Sequence, residues 1–146
     1  MAQGKGNTFI TYLLALIFNA TAISSLADNA ASNPATNLYV SLHTASPGAG
    51  GNQHTNEAAY TSYDRVAVAR TSGGWSVSGQ AVTPVATIIF PAATGGSETE
   101  TDWAVGTAAH TPGTGKILYF GTISPTIAVS NGVTPELSTA STITEA

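Results

Sequence analysis

Residues Asn37 to Gly48, Asn-Leu-Tyr-Val-Ser-Leu-His-Thr-Ala-Ser-Pro-Gly, constrain this chain more than any other stretch. Side chains alternate, so an extended backbone puts Leu38, Val40 and Leu42 on one face and Tyr39, Ser41 and His43 on the other. Pro47 and the glycines after it end the run, since proline cannot donate to a sheet ladder and glycine accepts tight turns. The cadence recurs. Tyr63–Arg70, Trp75–Val82, Val85–Phe90, Thr101–Thr107, Lys116–Ile123 and Ile127–Val129 read as further strands, with turn signals at Ser72-Gly73-Gly74, Ala93 to Gly96, His110 to Gly115 and Asn131-Gly132. In the second strand Val66 and Val68 point one way, and Arg65, Ala67 and Ala69 the other. Short strands with a turn about every ten residues predict a mainly β fold, a single antiparallel β-sandwich or barrel-like domain.

An N-terminal helix precedes the strands. Phe9 to Phe18 is an apolar run only about half as long as a bilayer span, which excludes a membrane helix there. Asn7 or Thr8 is the expected N-cap, and Phe9, Leu13, Leu16, Ile17 and Ala20 the expected packed stripe. Lys5 before the run and Ser25-Leu26-Ala27 after it also fit a secretory signal. The gradual return to polar residues through Asn19, Thr21 and Ser24-Ser25 favours a buried helix. The expected organisation is one domain, 1–146, with helix and connector over 1–36 and the β-sandwich over 37–146. A long Gly-, Asn- and Gln-rich loop, Ala45 to Thr61, is expected to be exposed and mobile.

Charge sets this chain apart. Only 8% of its 146 residues are Asp, Glu, Lys or Arg, against about 25% in an ordinary domain. A surface so neutral suggests that neighbouring proteins cover much of it. The four basic residues, Lys5, Arg65, Arg70 and Lys116, are scattered through a chain of net charge −4, so no basic stripe exists to neutralise phosphates and nucleic acid is excluded as a partner. The absence of cysteine removes disulfides and thiolate metal sites.

Motifs for chemistry are thin. His43, His54 and His110 are too dispersed to read as a metal site, and a lone histidine is more often a satisfied polar residue. No Gly-x-Ser-x-Gly elbow occurs. Gly113-Thr114-Gly115-Lys116 resembles the end of a phosphate loop, but His110 and Ile117 stand where the pattern needs a glycine and a hydroxyl residue. No catalytic residue, cofactor or metal ligand is therefore assigned. Glu98, Glu100 and Asp102 share one side of an extended segment; a solvated acidic edge is the first reading, a contact to Arg65 or Arg70 of another subunit the second, calcium the third. Tyr60, Tyr63, Trp75 and Trp103 are better placed in a core or interface than on a sugar platform. Arg65 and Arg70 are candidate inter-subunit anchors in a chain so short of cations. The interface candidates are thus Phe9, Leu13, Leu16, Ile17, Arg65, Arg70, Trp75 and Trp103.

Several segments together resemble a known family. Ile17-Phe18-Asn19-Ala20-Thr21-Ala22, Leu38 through Gly48, Tyr63-Asp64-Arg65-Val66-Ala67-Val68, Ile89-Phe90-Pro91-Ala92-Ala93, Lys116 through Gly121 and Ile127 through Gly132 are similar, in this order, to small tailed-bacteriophage virion proteins often labelled tail fibre proteins. The resemblance implies a non-enzymatic β-sandwich structural protein and carries over no catalytic residue. The chain has neither the heptads nor the repeats of a long fibre shaft. A capsid decoration (cement) protein, homotrimeric and bound to the major capsid protein, is therefore the leading expectation, placed on the capsid surface of the virion. The alternative is a small tail-fibre, tail or collar component that binds tail proteins or a host-surface glycan. A third, from another class, is a secreted sugar-binding or hydrolase module.

Overall fold

A computed structural model of the protein describes residues 5–23, 26–27, 33–111 and 114–146. Ser24-Ser25, most of the connector and Gly113 lie outside the described residues, and with them part of the signal-like Ser25-Leu26-Ala27 and of the loop Gly113 to Lys116. The chain divides into two compact units, Met1–Thr36 with Ala69–Thr87 and Leu137–Ala146, and Asn37–Val68 with Ile88–Glu136. The protein is mainly β, with one N-terminal helix and antiparallel sheets.

In the first unit, helix α1 spans Asn7–Asn19. Its N-cap is Gly6 with no side-chain cap, so neither Asn7 nor Thr8 plays the expected part. The buried stripe is Ile10, Leu14 and Phe18, spaced i, i+4, i+8. This corrects the predicted stripe: Phe9 is exposed, and Leu13, Leu16, Ile17 and Ala20 are half-buried. The helix is apolar nearly all round, so periodicity alone does not pick the inward face. Phe18 meets Trp75 edge-on, ring centroids 5.0 Å apart, which seals Trp75 in this core. Arg70 closes the helix. Its Nε and Nη2 donate to the carbonyls of Ile17 and Leu16, both at 2.6 Å, where a cation also complements the helix dipole.

Strands β3 (Trp75–Ser78) and β4 (Ala81–Pro84) pack against α1. They replace the single strand expected over Trp75–Val82. Gly79, at φ +58, opens a two-residue hairpin loop, the position where a primed turn calls for glycine. Strand β9 (Ile143–Thr144) completes the sheet β3-β4-β9.

In the second unit, β1 (Asn37–His43) and β7 (Ile117–Ser130) both run antiparallel to β6 (Ser97–Gly106), and β2 (Val66–Ala69) completes the order β2-β1-β6-β7. Register sets the faces. Leu42 opposes Trp103 and Val40 opposes Val105, so the aliphatic face read from the sequence is one side of this core. The single strand β7 covers both segments expected separately; the register jumps from Glu100↔Ile127 to Asp102↔Thr122. The apolar run Val85–Phe90 contributes only the two-residue strand β5 (Ile88–Ile89), while Val85 and Ile89 face solvent; β8 is Glu136–Leu137.

The loop from Ala45 to Thr61 departs from expectation. Pro47, Gln53, Ala58 and Tyr60 are buried. The loop folds back on the end of β1: Thr44 N–H donates to Asn56 O and Ala58 N–H to Leu42 O. Gln53 wedges its amide against Gly106 and Gly115, where an added Cβ would lie 2.1 and 2.0 Å from it. There Gln53 Nε2 donates to Tyr39 O, and Ala108 N–H donates to Gln53 Oε1.

Candidate functional site

The second face of β1 and β6 is buried too, and it is polar. Ser41 and His43 on β1 and Glu100 and Asp102 on β6 lie on this side, with Gln53, Glu57 and Arg65 close to the same layer. The acidic residues of β6 are therefore no solvated edge. β6 is an interior strand flanked by β1 and β7, and Glu100 and Asp102 are buried.

His43 Nδ1 donates to the Thr55 carbonyl at 2.9 Å, so Nε2 is the acceptor for the Ser41 hydroxyl at 2.8 Å. Burial holds the His43 imidazole below its ordinary value of 6.5, against the Thr55 bond and the charges of Glu57 and Asp102, which pull upward. Asp102 faces His43 across the ladder but accepts from Thr101 Oγ1 at 2.8 Å. Serine, histidine and aspartate thus sit near one another without forming a relay, in a fully buried layer.

The most elaborate arrangement centres on Glu57. The strand-like bridge to His43 presents it beside the end of β1. Arg65 Nε and Nη2 donate to Glu57 Oε1 and Oε2 at 2.6 and 2.8 Å, and Tyr63 Oη donates to Oε1 at 3.0 Å. His54 Nδ1 lies 2.7 Å from Oε2. Burial alone would raise the Glu57 carboxyl; the Arg65 hydrogen bonds and charge, the Tyr63 hydroxyl and His110 hold it below its ordinary value. Arg65 Nη1 also donates to the carbonyls of Ala108 and Ala109, which brings the loop carrying His110 alongside. The His54 and His110 rings stand 5.7 Å apart, and the His110 ring meets Tyr63 edge-on. His54, Glu57 and His110 place ligand atoms all within 4.8 Å of one another, a donor set able to hold a metal ion.

A third feature is Glu100. It is fully buried, and neither carboxyl oxygen meets a hydrogen-bond partner among the described residues. Burial, then the neighbouring Glu98 carboxylate, pushes its carboxyl up to about 8. Glu98 itself accepts from the backbone N–H groups of Ala59 and Tyr60.

These positions revise the sequence reading. Arg65 is an internal residue rather than an exposed subunit anchor, because its guanidinium is buried against Glu57. Arg70 serves the end of α1 within its own unit. Trp75, Trp103, Tyr60 and Tyr63 are all core residues, so no aromatic platform exists at these positions. His43 stays apart, but His54 and His110 do meet, through contacts spanning more than fifty residues of sequence. Of the interface candidates, Phe9 is at the surface, and Leu13, Leu16 and Ile17 are partly so.

Across residues 11–144 the sequence matches the profile of a family described as podophage GP4 fiber I protein gp80. The chain belongs to this family. Membership makes it a phage virion structural protein of tail-fibre type, in line with the resemblance read from the sequence. No curated protein matches the chain. Among the described residues, no helix is long and apolar enough to cross a membrane.

Proposed function

We propose that the chain is a non-catalytic building block of a tail fibre, held in the virion by contacts with other tail proteins or copies of itself. Membership of a fiber protein family over residues 11–144 carries this reading. Two surfaces support it. Outward from the buried stripe of α1, Phe9 and Tyr12 are exposed beside half-buried Leu13 and Leu16, an apolar face on a chain with little charge. On β7, at the end of the strand order, Leu118 and Phe120 are exposed along a 14-residue strand. The burial of Ser41 and His43 and the separate hydrogen bond of Asp102 favour a role without catalysis.

The capsid-decoration reading, with the major capsid protein as partner and a homotrimer as the unit, rests on low charge and on the lack of shaft-like heptads and repeats, whereas the fiber family favours the tail. Quantitative mass spectrometry of purified virions, with gold labelling of the chain, tests the choice. A few tens of copies or fewer, labelled at the tail, is the expected result; hundreds of copies over the head would overturn it. The double variant Phe9→Asp, Tyr12→Asp should fold normally and be lost from particles.

A further inference from the structure

We propose that His54, Glu57 and His110 form a binding site for a divalent transition metal of the zinc type, which clamps the loop after β1 to the loop between β6 and β7. Two imidazoles and one carboxylate are a donor set that zinc, cobalt and nickel accept. The spacing needs little adjustment. The three ligand atoms lie within 4.8 Å of one another, and ligands about 2.0–2.2 Å from a tetrahedral ion stand roughly 3.3–3.6 Å apart, so imidazole rotation must part His54 Nδ1 from Glu57 Oε2, 2.7 Å apart, as the ion enters.

The position between His54 Nδ1 and Glu57 Oε2, 2.7 Å apart, is where the ion would enter. There it replaces the direct contact between the two side chains. Arg65 stands beside it, its Nη2 2.8 Å from Glu57 Oε2 and 3.5 Å from His54 Nδ1. Its Nε and Nη2 grip the carboxylate in a fork and, with Tyr63 Oη, fix the orientation of the Glu57 oxygens. Such outer partners orient a metal-binding carboxylate. The Arg65 charge lowers affinity, which makes the site a weak, reversible clamp. Access is open. The His54 and His110 side chains are 42% and 33% exposed, so an ion can arrive and retain water ligands, and Asp64 Oδ1 lies 3.9 Å from His110 Nδ1 on the solvent side. Glu100, the other unusual carboxyl, is sealed from solvent and offers no such entry.

Titration of Zn2+ into the metal-free full chain by calorimetry, with Co2+ absorption as a second readout, should show one ion per chain. His54→Ala and His110→Ala should each weaken binding about tenfold or more. Because both side chains are partly exposed, the variants should keep the wild-type circular dichroism spectrum. Should either misfold, X-ray absorption of the zinc-loaded wild-type chain decides instead, with two imidazole donors expected. Absence of binding at millimolar zinc, affinity unchanged in both variants, or a zinc shell without histidine would each overturn the proposal.

Discussion

At the scale of single residues, the consequential feature is how few charges exist and how many of them are buried. Arg65 and Glu57 are nearly sealed, with side-chain exposures of 0% and 4%. Each is tolerable only because the other neutralises it, and removing one partner of such a pair costs far more than the pair contributes. Arg65→Ala should therefore destabilise the chain by about 3–5 kcal/mol in urea unfolding, since Glu57 then stays buried without its cation. A loss under about 1 kcal/mol, the range of a surface pair, would contradict the buried geometry. The sequence could not announce this partnership. Eight residues separate Glu57 from Arg65, across a loop whose fold depends on Gln53, and no local spacing rule links them. The histidines are a sharper case, since 56 positions separate His54 from His110 and only the tertiary fold brings their rings together.

At the scale of the element, α1 shows what hydrophobic patterning conveys. Existence and length of the helix were legible: a run from Phe9 to Phe18 with no proline or glycine, bounded by polar residues, has few alternatives. Its inward face was not, because apolar residues surround the axis and the packing of Phe18 on Trp75 selects among them. Leu13 and Leu14 make this measurable. Leu14→Ala removes a fully buried side chain and should cost about 2–5 kcal/mol, whereas Leu13→Ala, half-exposed, should cost less than half as much in the same thermal or urea unfolding assay. Equal losses would restore the stripe expected from sequence. Strands were easier to foresee than turns, because period-two alternation survives where one face is buried. The exception is the hairpin at Gly79, where Ser78-Gly79-Gln80-Ala81 carries a usable turn signal inside an apparently continuous strand.

At the scale of the whole molecule, the buried polar layer ties stability to pH. The Glu100 carboxyl is raised from an ordinary 4.5 to about 8, so between those values the folded chain holds a proton that the unfolded chain has released. Its contribution is fully present below about pH 4.5 and is lost as pH rises through about 8. In metal-free buffer the melting temperature should accordingly fall between pH 6 and pH 9, and Glu100→Gln should flatten that fall. A wild-type curve rising over the same interval would show that Glu100 is charged and solvated. Fold class was readable from turn cadence, and the virion assignment from segments spread along the chain. The polar interior was hidden, because Ser41 and His43 alternate with aliphatic residues as solvent-facing side chains do, and it is the loop after β1, folding back with Thr55 and Glu57 against His43, that covers them.

The seat of Gln53 carries a consequence for how such chains diversify. Its amide fills space left by the missing side chains at positions 106 and 115, so a side chain at either site forces the Gln53 amide to move from its buried hydrogen bonds. A methyl group arriving at either glycine collides with the amide, and a shorter residue at 53 deserts the Tyr39 carbonyl and the Ala108 amide. Fiber proteins of this kind are thus expected to alter the three positions together, as one inherited block, while the solvent-facing stretches around them change freely.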